Sequence, residues 1–354
     1  MTSEELHPHR AAAHSAGLVY VTDAMPGIRR RRAGRGFVYL DPQGRVIRKP
    51  AVLERIRQLV IPPAWSEVWV CPDPRGHIQV TARDGRGRKQ YRYHPEYRKV
   101  RDETKFERLF AFSEILPGLR RRVERDLARD GLPREKVLAT VVRLLEKTLI
   151  RIGNDEYARQ NRSYGLTTLR QRHVEVEGNI LHFEFRGKSG VRHAVAVNDR
   201  RLARIVQHCQ TLPGEELFQY VDVRGRRRNV GSGDINAYLR AITGHEVTAK
   251  DFRTWAGTML AATALRDAGA VASLRQAKRN IVRAIDQVAQ RLGNTRAVCR
   301  NYYVHPIVFD AYLRGETVPP PDGEPVPSRK SGHPPALRRD EQLVLAFLRA
   351  RLNS

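Results

Sequence analysis

The sequence predicts an α+β protein: a small N-terminal antiparallel β-sheet domain, then a larger, mainly α-helical domain that carries a three-stranded sheet of its own. Three observations predict this. Residues 17–93 read mainly as strands, with apolar and polar side chains alternating. From about residue 100 the period becomes helical, and residues 173–197 switch back to strand alternation before helix patterns resume at 199–211. A chain of 354 residues is long enough for two domains. The expected organisation is a flexible N-terminus over 1–16, a β-rich domain over 17–98, a helical domain over 99–315, and a Pro-rich linker with a terminal helix over 316–354.

Composition narrows the function. Lys and Arg number 64 against 38 Asp and Glu, a formal net charge of +26. That surplus repels itself in a compact state and makes physical sense with a polyanionic partner. Arginine greatly outnumbers lysine, which favours bidentate phosphate contacts. A GC-rich genome gives the same bias, so no specificity is read from it. Three unpaired cysteines, Cys71, Cys209 and Cys299, fit a reducing compartment and suggest neither a disulfide framework nor a zinc site. The N-terminus lacks an apolar core of signal-peptide length. No apolar run reaches the roughly 18 residues that a membrane span requires. A soluble protein of the cytoplasm, associated with the nucleoid, is expected.

Taken in order, GFVYLDPQGRVI reads as a hairpin around Asp41–Gly44, preceded by the basic run Arg29–Arg32 with Arg35. That run is either a solvated loop or an arm that contacts phosphate. Leu53, Ile56 and Val60 have helical spacing, and VWVCPDPRGHIQVTA gives two more strands. In GRGRKQYRYHPEYRK, Gln90, Tyr91 and Tyr93 lie between basic residues, and both tyrosines share one strand face. They suit either a groove that contacts bases and phosphates or an aromatic pair within the sheet.

Three helix patterns follow, through FERLFAF, LRRRVERDLARDG and PREKVLATVVRLLEKTLIRIG. In the last, Leu138, Val141, Leu145 and Leu149 form a stripe that Gly153 is expected to end. Arg151 then falls at the end of a buried helix, where it needs a ligand or a partner such as Asp155 or Glu156. In the next strand region, Leu181, Phe183 and Phe185 share a face, as do Val191, His193, Val195 and Val197. Arg186–Gly190 makes the hairpin tip between them, which sets Lys188 on a mobile loop. The Gly-Lys-Ser triplet is not a nucleotide-binding P-loop, because His182 stands where a glycine is needed and a strand follows instead of a helix.

TAKDFRTWAGTMLAATAL opens with a Thr-x-x-Asp capping signal and places Arg253 in the first turns, where helix amides favour an anion; a surface arginine is the plainer reading. A helix follows with Ala277, Ile281, Ile285, Val288 and Leu292 on its docking stripe. A Gly293–Thr295 turn leads into a short segment bearing Arg300, Tyr302 and Tyr303. A tyrosine so placed in so basic a chain suggests a nucleophile aimed at phosphate, against the plainer reading of a packed or groove-lining ring. ETVPPPDGEPVPSRKSGHPP reads as a linker, and LRRDEQLVLAFLRARL as a terminal amphipathic helix.

Four separated pieces line up: Arg151 in LIRIG, Lys188 in FRGKSGVRH, Arg253 in KDFRTW, and Tyr303 at the tenth position after Gly293. In order and context they resemble the type IB DNA topoisomerases, in particular the compact poxvirus and bacterial branch. The resemblance spans about 17–313 and takes in IPPAW at 61–65, GRKQYRY, and YGLTTL at 164–169; the tail after 316 lies outside it. It implies the catalytic fold shared with tyrosine recombinases, and double-stranded DNA as partner, clamped by a C-shaped monomer. Tyr303 would attack a phosphodiester to give a 3′-phosphotyrosyl link, with Arg151 and Arg253 on the non-bridging oxygens and Lys188 protonating the 5′-oxygen. No cofactor, ATP or metal is implied, since the cations take the place of Mg²⁺.

Poxvirus and eukaryotic members have histidine directly after the glycine, where this chain has Asn294; bacterial members share the asparagine, which is expected to donate a hydrogen bond to phosphate without charge. Gln90, Tyr91, Tyr93, Tyr157 and Thr168 match groove-contacting positions, and Lys250 of the KDFRTW piece is taken as a further DNA contact. Lysines near Tyr157 in the poxvirus enzyme are Asn154 and Glu156 here, so no site preference carries over. The resemblance also implies a site incompletely assembled without DNA, with the Lys188 hairpin or the Tyr303 segment out of place. A tyrosine recombinase and a non-catalytic architectural DNA-binding protein are the competing readings.

Overall fold

The computed structural model describes residues 8–34, 36–85, 87–222, 224–321 and 337–352, without the side chains of 8, 9, 101–105 and 107. Arg35 and residues 322–336, most of the expected linker, lie outside the described residues, as do residues 1–7. The architecture is α+β and divides into two units, residues 1–107 and 108–354. Among the described residues, no helix is long and apolar enough to cross a membrane.

The first unit holds a five-stranded antiparallel sheet in the order β2-β1-β3-β4-β5: β1 (Ile28–Ala33), β2 (Gly36–Leu40), β3 (Ser66–Val70), β4 (Ile78–Arg83) and β5 (Lys89–Tyr93). Two helices accompany it, α1 (Pro8–Ser15) and α2 (Pro50–Gln58). Val68, Val70 and Val80 face a small core closed by Ile56 of α2.

Several expectations change here. The arginine run is strand β1, neither loop nor arm, and pairs residue for residue with β2 from Arg29↔Leu40 to Ala33↔Gly36. Arg30 is spent within the sheet: it donates to the carbonyls of Pro62 (3.1 Å) and Trp65 and covers the Phe37 ring at 4.1 Å. The Asp41–Gly44 turn does form as read, and its flanks pair briefly around a Leu40↔Val46 bridge, the Asp41 amide donating to the Arg45 carbonyl and the Ile47 amide to that of Tyr39 (2.9 Å each). Val60 lies beyond the end of α2, where its backbone turns left-handed (φ 48°), and it is 70% exposed. Residues 8–15, expected to be flexible, are helical, with Ala13 fully buried beside Tyr97.

Helix α3 (Pro95–Leu127) carries the chain onward. It merges two of the expected helix patterns and tolerates Pro117 internally, because Leu116 and Leu119 on either side are each 1% exposed in the core. The second unit is built on α4 (Arg134–Thr148), whose residues Val137 to Val142 are buried without interruption. The helix stops at Thr148, earlier than Gly153: Leu149 turns left-handed (φ 59°), and the Thr148 hydroxyl accepts from the Ile150 amide at 3.2 Å. Arg151 therefore sits on an extended connection after the helix.

Then come α5 (Asp155–Asn161) and the three-stranded antiparallel sheet β6 (Val174–Glu177), β7 (Ile180–Arg186) and β8 (Arg192–Asn198), with β7 central. Leu181 and Phe183 are fully buried on its inner face. Helix α6 (Arg200–Gln210), a short β9–β10 hairpin (Gln219–Val221, Arg227–Asn229) and α7 (Ser232–Thr243) lead to α8 (Ala249–Asp267), α9 (Leu274–Leu292), α10 (Arg296–Tyr302) and α11 (Pro306–Leu313).

The terminal helix α12 (Arg339–Leu352) belongs to this same core, with Val344 and Leu348 fully buried. Glu341 fixes it there, accepting two hydrogen bonds from Arg120 (2.8 and 2.7 Å) and one from the Trp255 indole (3.1 Å), while Arg120 also reaches Glu146 at 2.7 Å.

Candidate active site

Helix α8 opens with Thr248, whose amide donates to the Asp251 carboxylate at 2.8 Å, and this cap sets the first turn that carries Arg253. Arg253 is not a surface residue; it is 4% exposed. Its guanidinium donates to the Leu149 carbonyl at the end of α4 and to the Leu292 carbonyl at the end of α9 (2.8 Å). One cation thus ties three helices together, through carbonyls that have no further intrahelical donor. It has no carboxylate partner among the described residues, and its Nε is buried without any hydrogen bond.

Arg151 arrives beside it. The Leu166 amide donates to the Arg151 carbonyl (2.9 Å) and the Thr167 amide to that of Ile152 (2.6 Å), so the turn at 165–168 braces the extended connection. The partner proposed from sequence, Asp155 or Glu156, is not used. Arg151 instead donates to the Gly293 carbonyl (3.3 Å) and to Asn294 Oδ1, across the chain. Burial, and then the charge of Arg253, push the Arg151 pKa below its ordinary value. Two neighbouring guanidiniums, Arg253 buried and Arg151 half-buried, with no carboxylate partner among the described residues, form a strongly electropositive recess.

Asn294 follows the left-handed Gly293 (φ 57°) that ends α9. Because its Oδ1 accepts from Arg151, its amide nitrogen is the free end, and Nδ2 is buried without a partner. Tyr303 closes α10, its amide donating to the Cys299 carbonyl at 3.0 Å. Its ring lies under Arg253, with 5.2 Å from guanidinium to centroid. Thr258, one turn beyond Arg253 on α8, holds the segment by donating to the Tyr303 carbonyl (3.4 Å) and accepting from the His305 amide (3.1 Å). Tyr302, its neighbour in sequence, is 48% exposed.

The structure therefore gathers Arg151, Arg253, Asn294 and Tyr303. It does not join Lys188 to them. Lys188 sits at the tip between β7 and β8, exposed and without a hydrogen bond or ion pair among the described residues. Of the other expected contacts, Thr168 is buried, its hydroxyl bonded to the Gly165 amide (2.9 Å) and carbonyl, and it supports the brace under Arg151. Tyr157 is 42% exposed in the first turn of α5, and Lys250 is exposed at the start of α8. In the first unit, Tyr91 is 42% exposed and stacks on Tyr93 along the same strand (5.9 Å, 7°), while Gln90 donates to Asp84 at 2.9 Å. Among the described residues, no three His, Cys, Asp or Glu side chains gather as metal ligands.

Sequence reasoning missed three residues. Thr258 gave no signal beyond its helical position. Cys299 is fully buried, its thiol pushed up to about 11 by burial even though Arg253 and Arg151 pull it down. His193, read only as one of a strand face, stacks on Phe185 (4.9 Å, 8°) and is held below its ordinary pKa by burial and by the charges of Arg151 and Arg253.

Comparison with known proteins agrees with this geometry. Residues 94–312, well over half the chain, match the family described as eukaryotic DNA topoisomerase I, catalytic core, and residues 36–84 match the bacterial DNA topoisomerase IB N-terminal domain. The chain is 33% identical to DNA topoisomerase 1B of Acanthamoeba polyphaga mimivirus, over 81% of this chain and 88% of that one. It is 21% identical to DNA topoisomerase 1B of vaccinia virus, over 64% and 70% of the two chains, and to the same extent to DNA topoisomerase I of monkeypox virus. With both regions matched in order and a relative 33% identical over most of both chains, the chain belongs to the type IB DNA topoisomerase family.

Proposed function

We propose that this protein relaxes positive and negative supercoils by cutting and resealing one DNA strand, without ATP or an obligatory metal. The observation that carries the reading is the recess over Tyr303: two guanidiniums and an amide, with Arg253 Nε and Asn294 Nδ2 both buried and unpartnered. Buried donors and uncompensated charge cost free energy until an anion arrives. A phosphodiester in flight to a pentacoordinate transition state supplies the oxygens they lack.

In this reading Tyr303 Oη attacks phosphorus and its phenolic proton leaves to solvent. The new O–P bond forms as the bond to the 5′-oxygen breaks, and Lys188 protonates that oxygen. Arg151 and Arg253 hold the non-bridging oxygens, and Asn294 Nδ2 donates one more hydrogen bond. The phosphotyrosyl ester keeps the energy of the original bond, so the 5′-hydroxyl can reverse the step after the strand has rotated. The exposed position of Lys188 fits an acid that the duplex itself brings onto the leaving oxygen. Gln90, Tyr91, Tyr93, Tyr157 and Lys250 serve as duplex contacts, and the enzyme acts as a monomer on nucleoid DNA. We further hold that the second unit shares its fold with the tyrosine recombinases.

The test is plasmid relaxation in EDTA without ATP. Wild type relaxes a plasmid that lacks any defined site, and Tyr303→Phe binds the same DNA without changing its linking number. Relaxation by the phenylalanine variant would remove Tyr303 from the mechanism. No relaxation by either protein would leave a recombinase or an architectural role.

A further inference from the structure

The hairpin that bears Lys188 and the turn that bears Asn294 meet on one side chain, His193. On one side of the imidazole lies Gly187, the residue before Lys188: a Cβ built there would fall 2.6 Å from His193 Cδ2 and Nε2. On the other side lies Gly293, the residue before Asn294: a Cβ built there would fall 2.5 Å from His193 Cε1. No real Cβ approaches so closely, so the ring occupies space that only glycine leaves open at both positions. One ring face is stacked on Phe185 of β7, at 4.9 Å and 8°.

Hydrogen bonds within the hairpin fix its own loop, with the Gly187 amide donating to the Val191 carbonyl (2.7 Å) and the Gly190 amide to that of Gly187 (3.1 Å), and the Tyr164 amide donates to the Arg186 carbonyl at its base (2.8 Å). They do not tie it to the α9–α10 turn, and the Lys188 side chain has no partner that would. We infer that His193 is a positioning residue: its ring wedges the base of the Lys188 hairpin against the Gly293–Asn294 turn, and so fixes where Lys188 meets the leaving oxygen.

The role asks for shape and not for charge. Burial, and then the charges of Arg151 and Arg253, push the imidazole pKa below its ordinary value, which disfavours a third cation in the recess. The contact also explains why the proton donor can sit on an exposed tip: the base is seated, and only the lysine side chain has to swing.

This inference rests on the reading of Lys188 as the general acid. It is tested by single-turnover cleavage of a nicked duplex, with either the natural 5′-oxygen or a 5′-bridging sulfur as leaving atom. A thiolate leaves without a proton, so a defect in acid catalysis disappears on sulfur, whereas a defect in phosphate binding or folding does not. Removing a general acid costs about 10²- to 10⁴-fold, which is the loss expected for Lys188→Ala on oxygen. His193→Ala is expected to lose at least about tenfold of that on oxygen, and to cleave the sulfur substrate at close to the wild-type rate.

Gly187→Ala displaces the ring while leaving the histidine in the sequence, at a φ of −92° that alanine accepts, and should show the same sulfur-rescued defect even if His193→Ala folds poorly. His193→Phe, which keeps a flat ring on Phe185, should restore cleavage on oxygen. Equal losses on both substrates, or no loss in either His193→Ala or Gly187→Ala, would overturn the inference. A phenylalanine variant as slow as alanine on oxygen but normal on sulfur would also overturn it, by making His193 a proton donor. Failure of wild type to form the covalent adduct on either substrate would instead sink the functional reading itself.

Discussion

Arg253 is 4% exposed and, among the described residues, is answered only by the carbonyls of Leu149 and Leu292 and by the face of Tyr303. Arg253→Lys keeps the charge but cannot hold both carbonyls and a phosphate oxygen with one ammonium. Loss of one transition-state donor typically costs about 10²- to 10³-fold, and single-turnover cleavage by Arg253→Lys should fall by at least the lower figure while DNA affinity changes little. Asn294→Asp makes the opposite change. The new carboxylate pairs with Arg151, so thermal stability should hold or rise, but it meets the phosphate with a like charge, and cleavage should drop by more than about 10². Unchanged cleavage with a raised melting temperature would place Asn294 outside the site. The identities of these residues were legible from their local motifs. Their partners were not: Arg151 takes Asn294, which stands 143 positions away, whereas the sequence offered Asp155 and Glu156 nearby. Contacts made by chain reversal leave no local trace, and Arg253 looked like a surface arginine for the same reason.

Element by element, periodicity reported the side chains that face the core but misplaced where helices end. Ser113 to Gly118 reads as a break, yet α3 runs through Pro117, because packing of Leu116 and Leu119 outweighs one missing hydrogen bond. The helix α4 ends on a left-handed leucine, a residue that gives no stop signal of its own. The helix α12 was read correctly as amphipathic, but its anchor was hidden, because Glu341 looks like any surface glutamate in sequence. Breaking one partner of a buried ion pair costs about 3–5 kcal/mol, and Arg120 keeps Glu146, so Glu341→Ala should lower unfolding free energy by about 3 kcal/mol in denaturant titration. A loss below about 0.5 kcal/mol would put the pair in the class of weak surface bridges. Burial raises the Glu341 pKa, but Arg120, the Arg338 amide and Trp255 together outweigh it, so the folded value lies below the ordinary one. Its contribution is therefore complete above the ordinary glutamate pKa and is lost as the pH falls through the depressed folded value. Glu341→Gln should flatten that acid limb.

Across the whole molecule, the α+β class was legible because strand and helix periods alternate over long stretches, and the positive charge pointed to a polyanion before any site was found. The strand order was not legible. β1 pairs with both β2 and β3, with α2 between them in sequence, and the pairing of the arginine run with β2 left no signal of its own, whereas the Asp41–Gly44 turn did. A formal net charge of +26 favours a polyanion at long range. The logarithm of the affinity for duplex DNA should fall linearly with the logarithm of salt concentration, with the same slope in wild type and Tyr303→Phe; a shallower slope in the variant would mean that the tyrosine substitution also disturbs phosphate contacts. The central claim is that the recess built by Arg151, Arg253 and Asn294 delivers a phosphodiester to Tyr303. The most direct measurement is to trap the covalent adduct on a nicked duplex whose cleaved strand cannot be resealed, digest it, and map the modified residue by mass spectrometry. The account requires a phosphotyrosyl bond to the 3′ end of the broken strand at Tyr303. A bond at Tyr302, a link to the 5′ end, or cleavage that leaves no covalent adduct would contradict it.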